Sequence, residues 1–235
     1  MGGIAKGSGM IHPNMGTMLA FIVCDISIKP ELLDEALRQA TDRSFNMITV
    51  DGDTSTNDMV AVMCNGMAGN PEITEKDANY QLFLNHLEDL CVHLAKLIIS
   101  DGEGSTKLIE YRTNGAKTEM EARKVVRTVS NSNLVKTAVF GSDPNWGRII
   151  AAAGRSGVDF DPRTMDLYIG VELNKMIPVL QQAQPVEGVR EELKKVMTSS
   201  TIIIQIDLNQ GDQSAVGWGS DFSYEYVRIN AEYTT

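Results

Sequence analysis

Lys6-Gly-Ser-Gly-Met10-Ile-His-Pro-Asn-Met15-Gly-Thr17-Met-Leu-Ala-Phe21 is the stretch on which the reading of this chain turns. A glycine-rich opening, Met1 to Pro13, has neither a helical nor a strand period. It runs into Met18-Leu-Ala-Phe-Ile-Val-Cys24, a continuous apolar run bounded by polar residues. Such a run has the pattern of a strand buried on both faces. The residue at its entrance is Thr17, and two readings of it stand side by side. Threonine is β-branched and common in strands. It is also the residue that a self-cleaving nucleophile needs at the head of a strand. Its hydroxyl attacks the preceding carbonyl, the ester is hydrolysed, and the threonine keeps a free amine beside its own hydroxyl. An α-amino group titrates at roughly 7.7–8.0, so it accepts the hydroxyl proton near neutrality, where an amide nitrogen does not.

Working outward, Pro30 opens a helix through about Ala40, with Leu32, Leu33, Ala36, Leu37 and Ala40 on one stripe. Phe45–Val50 and Met59–Cys64 read as short strands around the polar loop Asp51-Gly-Asp-Thr-Ser-Thr-Asn-Asp58. The strongest helical period runs from about Glu75 to Ile99, through Leu82, Phe83, Leu87, Leu90, Leu94 and Leu97. Beyond the turn Ser100-Asp-Gly-Glu-Gly104, Lys107–Arg112 reads as a strand and Lys117–Val129 as a helix. A short helix at Arg148–Ala153 follows the turn Ser142–Gly147. The last third carries strands at Met165–Val171, Lys175–Leu180, Thr201–Leu208 and Ser214–Gly219, interrupted by a helix near Glu187–Thr198. The fold class is α/β, with mixed sheets layered with helices.

Bulk composition narrows the function. The 235 residues are 43% hydrophobic and 22% charged, with a formal net charge of −10. That balance argues against a broad nucleic-acid or anionic-membrane surface, while a small anionic substrate is still within reach of local cations such as Lys6 and Arg148. Cys24, Cys64 and Cys91 form no CxxC pair and read as buried thiols of a reducing cytosol. No run approaches the roughly 20 apolar residues of a membrane span, and no signal-peptide pattern opens the chain. A cytoplasmic protein is expected, with no membrane and no nucleic-acid partner.

Some tempting motifs fail. Gly2-Gly-Ile-Ala-Lys-Gly-Ser-Gly9 has phosphate-loop composition, but its lysine precedes the last glycines. Asp51-Gly-Asp53 begins like a calcium loop, yet Thr56 and Val62 stand where glycine and glutamate are required, so a turn is expected. His86 and His93 share a helix face without a zincin glutamate. No G-x-S-x-G elbow is present. No metal site is expected.

The segment Lys6–Phe21 resembles the processing-site signature of the ornithine acetyltransferase family, also called bifunctional glutamate N-acetyltransferase. Ile48-Thr-Val-Asp-Gly-Asp-Thr-Ser-Thr-Asn-Asp58, Val139-Phe-Gly-Ser-Asp-Pro-Asn-Trp-Gly-Arg-Ile149 and Tyr226-Val-Arg-Ile-Asn-Ala-Glu-Tyr-Thr-Thr235 are similar to further family segments, in family order. The resemblance implies an α-β-β-α-like self-processing scaffold and a cut between Gly16 and Thr17. Residues 1–16 would be the tail of an α chain and 17–235 the catalytic β chain, with two subdomains dividing near 140–160. Thr17 would take acetyl from N-acetylornithine and pass it to glutamate, in arginine biosynthesis. Lys6, Thr17, Glu103, Asn230 and Thr235 match the family's substrate-binding positions. No cofactor is implied, apart from acetyl-CoA as a further acetyl donor. An α2β2 assembly with the α chain of the same precursor is also implied.

The chain departs from the family at two points. Gly16 stands where alanine is usual, which relaxes the backbone before the cut. Most of the α chain is missing, including a Thr-Gly pair that supplies the oxyanion hole, so this chain alone is expected to be nearly inactive. Two other functions compete: an amidohydrolase or aminopeptidase on a similar scaffold, and an uncleaved fragment serving as a non-enzymatic subunit. Without the family, Lys6 and Glu103 would read as solvated surface charges, and the tail around Asn230 as a frayed end. The dense turn of Asp143, Asn145, Trp146 and Arg148 is expected to be structural.

Overall fold

The computed structural model describes residues 1–12 and 18–233. Gly16, Thr17 and Thr235, three of the residues singled out above, lie outside the described residues. The chain gathers into two compact units, Met1–Ile98 and Ile99–Thr235; positions 140–160 fall inside the second.

The first unit is built on a three-stranded sheet of β1 (Gly2–Lys6), β2 (Leu19–Cys24) and β4 (Met59–Cys64), in the order β1-β2-β4. The short strand β3 (Ile48–Thr49) precedes β4. β1 runs antiparallel to β2, from Gly2 opposite Val23 to Lys6 opposite Leu19. β2 runs parallel to β4, from Leu19 opposite Met59 to Cys24 opposite Cys64. The glycine-rich opening is thus a strand rather than irregular chain. Its signal was invisible locally because β1 is stabilised by a ladder to β2, not by its own residues. Gly3 also has a packing reason: a Cβ there would meet Leu94 Cδ1 at 3.0 Å and Leu90 Cδ2 at 3.4 Å, so the helix lies against the bare backbone.

Helices α1 (Pro30–Arg43) and α2 (Ala78–Ser100) supply the apolar stripes of this unit. Ala36 and Ala40 of α1, and Leu87, Cys91, Leu94, Ala95 and Ile98 of α2, are buried. Phe45–Met47 forms a single 3₁₀ turn where a strand was expected, leaving only Ile48–Thr49 extended. The expectation of two-sided burial for β2 also fails. Ala20 and Ile22 are fully buried, but Phe21 is 36% and Val23 53% exposed. With Ile4, Met59 and Met63, they form one apolar face of the sheet that no described residue covers.

In the second unit, strands run in the order β10-β5-β9-β6-β7-β8. They are β5 (Leu108–Ala116), β6 (Asp166–Gly170), β7 (Met176–Gln181), β8 (Gln184–Pro185), β9 (Thr201–Asp207) and β10 (Gln213–Ser220). β5 and β9 pair parallel, and the other neighbours antiparallel. Tyr111, Ile109, Leu167, Ile169, Ile202 and Ile204 fill the core. Helix α3 (Glu119–Ser130) packs on β5 and β10 through Ala122, Val125, Val126 and Val129. Its start is a capping box. Thr118 accepts from the Glu121 amide, and the Glu121 side chain accepts from the Thr118 amide, which satisfies two otherwise orphaned donors. Helices α4 (Asn133–Phe140), α5 (Trp146–Gly154), α6 (Arg190–Met197) and α7 (Tyr224–Glu232) complete it. The architecture is α/β, with mixed sheets packed against helices.

Candidate functional site

The predicted residues fall in both units, and each group is described within its own. In the first unit, Lys6 ends β1. The register sets it opposite Leu19, so it flanks the start of β2, the strand that follows Thr17 in sequence. Its side chain is exposed.

The loop 51–58 grips the chain on either side of positions 13–17. Asp51 accepts hydrogen bonds from the amides of Met10 (2.7 Å) and Ile11 (3.0 Å), and from Asp53 (3.3 Å). The Val50 amide donates to the Ile11 carbonyl at 2.7 Å. The Thr54 hydroxyl donates to the His12 carbonyl at 3.0 Å. On the downstream side, Asp58 Oδ1 accepts the amide of Met18. Its other oxygen, Oδ2, is buried and has no hydrogen-bond partner among the described residues. Burial pushes the Asp58 carboxyl above its ordinary range, against the opposing pull of the Met18 amide and the Lys6 charge. The turn expected at Asp51–Asp58 is therefore present, and Asp51 and Asp58 accept backbone amides from either side of positions 13–17.

In the second unit, Glu103 and Asn230 come together. Glu103 lies in the turn after α2 and Asn230 on α7, and Asn230 Nδ2 donates to Glu103 Oε2 at 2.8 Å. The same Nδ2 also donates to the Tyr226 carbonyl at 3.1 Å. What joins these distant segments is a set of short polar residues. Ser223 caps α7, accepting from the Tyr226 amide at 3.3 Å while its hydroxyl donates to the Gly104 carbonyl at 2.6 Å. Gly104 has φ +65°, and any Cβ there would strike the Tyr226 amide nitrogen. Glycine is required for the turn to seat against α7.

Beneath this turn, buried Asp221 accepts from the amides of Thr106 (2.8 Å) and Lys107 (3.1 Å) and from the Thr106 hydroxyl. The Lys107 ammonium is buried too. It donates to the Val139 carbonyl (2.7 Å), the Met197 carbonyl (2.7 Å) and Ser142 Oγ (2.8 Å), and burial lowers its pKa. The tail around Asn230 is an ordered helix rather than a frayed end, and its cap Ser223 was the signal available in sequence.

The Asp143–Arg148 turn is held by its own polar groups. Asn145 caps α5 by accepting the Arg148 amide at 3.2 Å, and its Nδ2 donates to Asp143 at 2.9 Å. Arg148 donates to the Leu134 carbonyl at 2.9 Å.

Comparison with known proteins agrees with the quoted segments. The model of the ArgJ family matches residues 1–235. The arginine biosynthesis bifunctional protein ArgJ of Symbiobacterium thermophilum is 51% identical over 235 residues, which are 100% of this chain and 57% of that protein. The protein of the same name from Geobacillus kaustophilus is 52% identical, across 100% of this chain and 56% of its own length. The crystal structure of the arginine biosynthesis bifunctional protein ArgJ from Bacillus halodurans superimposes with a TM-score of 0.87 at 43% identity, covering 92% of this chain and 100% of that one. The chain spans a little more than half the length of the curated relatives it matches. It belongs to the ArgJ family.

Proposed function

We propose that the protein, completed by the α portion of its precursor, transfers acetyl from N-acetylornithine to glutamate in the cytoplasmic synthesis of arginine. Thr17 is the acetyl carrier. Cleavage between Gly16 and Thr17 frees its amine, which then serves as the base for its hydroxyl. The hydroxyl attacks the acetyl carbonyl of N-acetylornithine, the carbon–nitrogen bond breaks, and ornithine leaves with the proton. Glutamate's amine attacks the acetyl ester, and N-acetylglutamate leaves as the threonine hydroxyl is restored. Lys6 pairs with a substrate carboxylate, and Glu103 with an ammonium. Asn230 and Thr235 orient the amino acid by neutral hydrogen bonds.

The observation that carries this reading is the register that sets Lys6 opposite Leu19, at the end of β2 that begins just after Thr17. A substrate carboxylate held there lies beside the nucleophile's strand. Two further facts support it. A chain of the crystallised relative is matched in full by 92% of this one, close to the share that Thr17–Thr235 makes up. The uncovered apolar face of Ile4, Phe21, Val23, Met59 and Met63 offers the α portion a surface to bury; an α2β2 assembly follows from the family likeness alone. The oxyanion hole and a further donor, acetyl-CoA, belong with that completed protein.

The test is to supply the completed protein with N-acetylornithine and glutamate, and to measure ornithine, N-acetylglutamate and acetate together. Equal ornithine and N-acetylglutamate, with little acetate, is expected. Acetate in place of N-acetylglutamate would make the protein a hydrolase.

A further inference from the structure

Cys24 and Cys64 end their strands side by side. They are register partners in the parallel pair β2–β4, and the Asn65 amide donates to the Cys24 carbonyl at 3.2 Å, which fixes that register at the strand ends. Neighbouring strands stand about 4.8 Å apart, within the roughly 4.4–6.8 Å between Cα atoms that a disulfide spans. Both side chains leave the sheet on one face, the face that carries buried Ala20 and Ile22. The thiols meet there, and the Cys64 thiol donates a hydrogen bond to Cys24. Long separation in sequence and the lack of a CxxC spacing hid the pair.

We propose that Cys24 and Cys64 are an oxidisable dithiol, closed by hydrogen peroxide into a reversible disulfide that locks the ends of β2 and β4 together. The inference is independent of the chemistry proposed for Thr17. Both residues are half-buried, whereas Cys91 is fully buried and hydrogen-bonded with Ser44. Of the three cysteines, only Cys91 is the buried thiol expected from the sequence. A cavity of about 570 Å³ bordered by Cys24, Asp25, Ile26, Leu82, Phe83 and His86 gives a small oxidant access to Cys24. Asp25 Oδ1 accepts a weak hydrogen bond from the Cys24 thiol at 3.9 Å. That carboxylate and the net charge of −10 repel an anionic oxidant such as glutathione disulfide. Neutral peroxide escapes the penalty.

The step balances. The Cys24 thiolate attacks one peroxide oxygen and the oxygen–oxygen bond breaks. A sulfenic acid remains, and the departing hydroxide takes up the proton that the thiol had lost, leaving as water. Cys64 is the resolving thiol: burial, the Cys24 charge and Asp25 hold it protonated, which makes it slow as the first attacker. Its sulfur displaces the sulfenic hydroxyl, its proton leaves with that hydroxyl as water, and the sulfur–sulfur bond forms. Two thiols are oxidised and one peroxide is reduced to two waters. The new bond closes a loop that contains α1, β3 and residues 51–58, restricting the unfolded chain more than the folded one. Half-exposed sulfurs keep the bond within reach of thiol reductants.

The reduced, complete protein is treated with hydrogen peroxide, alkylated, unfolded, digested without reductant and mapped by mass spectrometry. The expected product is a linked pair of peptides carrying Cys24 and Cys64, lighter by two hydrogens than the separate peptides and parted by dithiothreitol. Melting should rise by several degrees on oxidation and fall back on reduction. In Cys64→Ser the rise should vanish, and a dimedone adduct of the sulfenic acid should accumulate on Cys24 instead. Free thiols, a link to Cys91, or Cys24 oxidised to sulfonic acid without a link to Cys64 would overturn the inference. If the serine variant fails to fold, the linked peptides of the wild-type protein decide alone.

Discussion

Asn230 donates a 2.8 Å hydrogen bond to Glu103 across 127 positions of sequence. The contact joins a turn to α7, a helix with no fully buried side chain, in which Tyr226 and Ile229 are half-buried. Helix α7 is held by its cap, by this bond, and by ring contacts of Tyr224 with Phe140 and of Tyr226 with Phe222, while Arg228 pairs with Glu225 and Glu232 within the helix. Under the proposed function, a substrate ammonium at Glu103 is coupled to α7 through this bond.

Replacing Asn230 with alanine should therefore act on substrate binding. A hydrogen bond to a charged group contributes about 1.5–3 kcal/mol, so KM for the amino acid should rise roughly tenfold to a hundredfold. The melting temperature should barely move, because the residue is exposed. Glu103→Gln keeps a hydrogen-bonding oxygen for Asn230 but removes the charge. Steady-state kinetics should show at least as large a loss, again in KM.

Gly104→Ala should be destabilising. The residue sits at φ +65°, and the new methyl would collide with the Tyr226 amide and approach Ser223 Oγ to 2.8 Å. A loss of about 1–3 kcal/mol is expected from such a substitution, read by urea denaturation. Hydrogen exchange should quicken first in Tyr224–Glu232.

Asp161 should titrate far below an ordinary aspartate. The Arg163 side chain, and then its amide, hold the carboxyl down to about 2. A lowered folded value means that this contribution to stability is present above the ordinary aspartate range and is lost as pH falls through about 2. NMR titration of Asp161 should give that value, and Arg163→Ala should move it back toward 3.8.

The cysteines should differ in reactivity. Burial pushes the Cys91 thiol to about 12 and the Cys64 thiol to about 11, the latter also raised by neighbouring Cys24. With an alkylating reagent at pH 8, Cys91 should stay unmodified until the protein unfolds. Early labelling of Cys91, followed by mass spectrometry, would show the core of α2 to be open.

Sequence made some of this legible and not the rest. The period of Leu87, Leu94 and their neighbours revealed α2 because a long apolar stripe is a local signal. The α/β class followed from the strands of the second unit for the same reason. β1 was hidden, since Gly2–Lys6 has no period and becomes a strand only by pairing with Leu19–Val23. Helix α7 was hidden because no apolar stripe marks it, and α4 because Asn131 and Ser132 divide it from α3 by a single turn. Among site residues, Lys6, Glu103 and Asn230 came from family likeness, and only the structure put Asn230 against Glu103. Asp58 was quoted as part of a loop, and nothing local distinguishes it from its neighbours. Its contact with Met18, 40 positions away, is a product of the parallel β2–β4 pairing.

The central claim is that the Thr17 hydroxyl carries the acetyl group. The most direct measurement is to incubate the completed protein with N-acetylornithine and no glutamate, digest it, and locate any acetyl adduct by mass spectrometry. An acetyl ester on the peptide beginning at Thr17, discharged when glutamate is added, is the predicted result. Full transfer activity with no adduct on that peptide, or undiminished in Thr17→Ala, would contradict it.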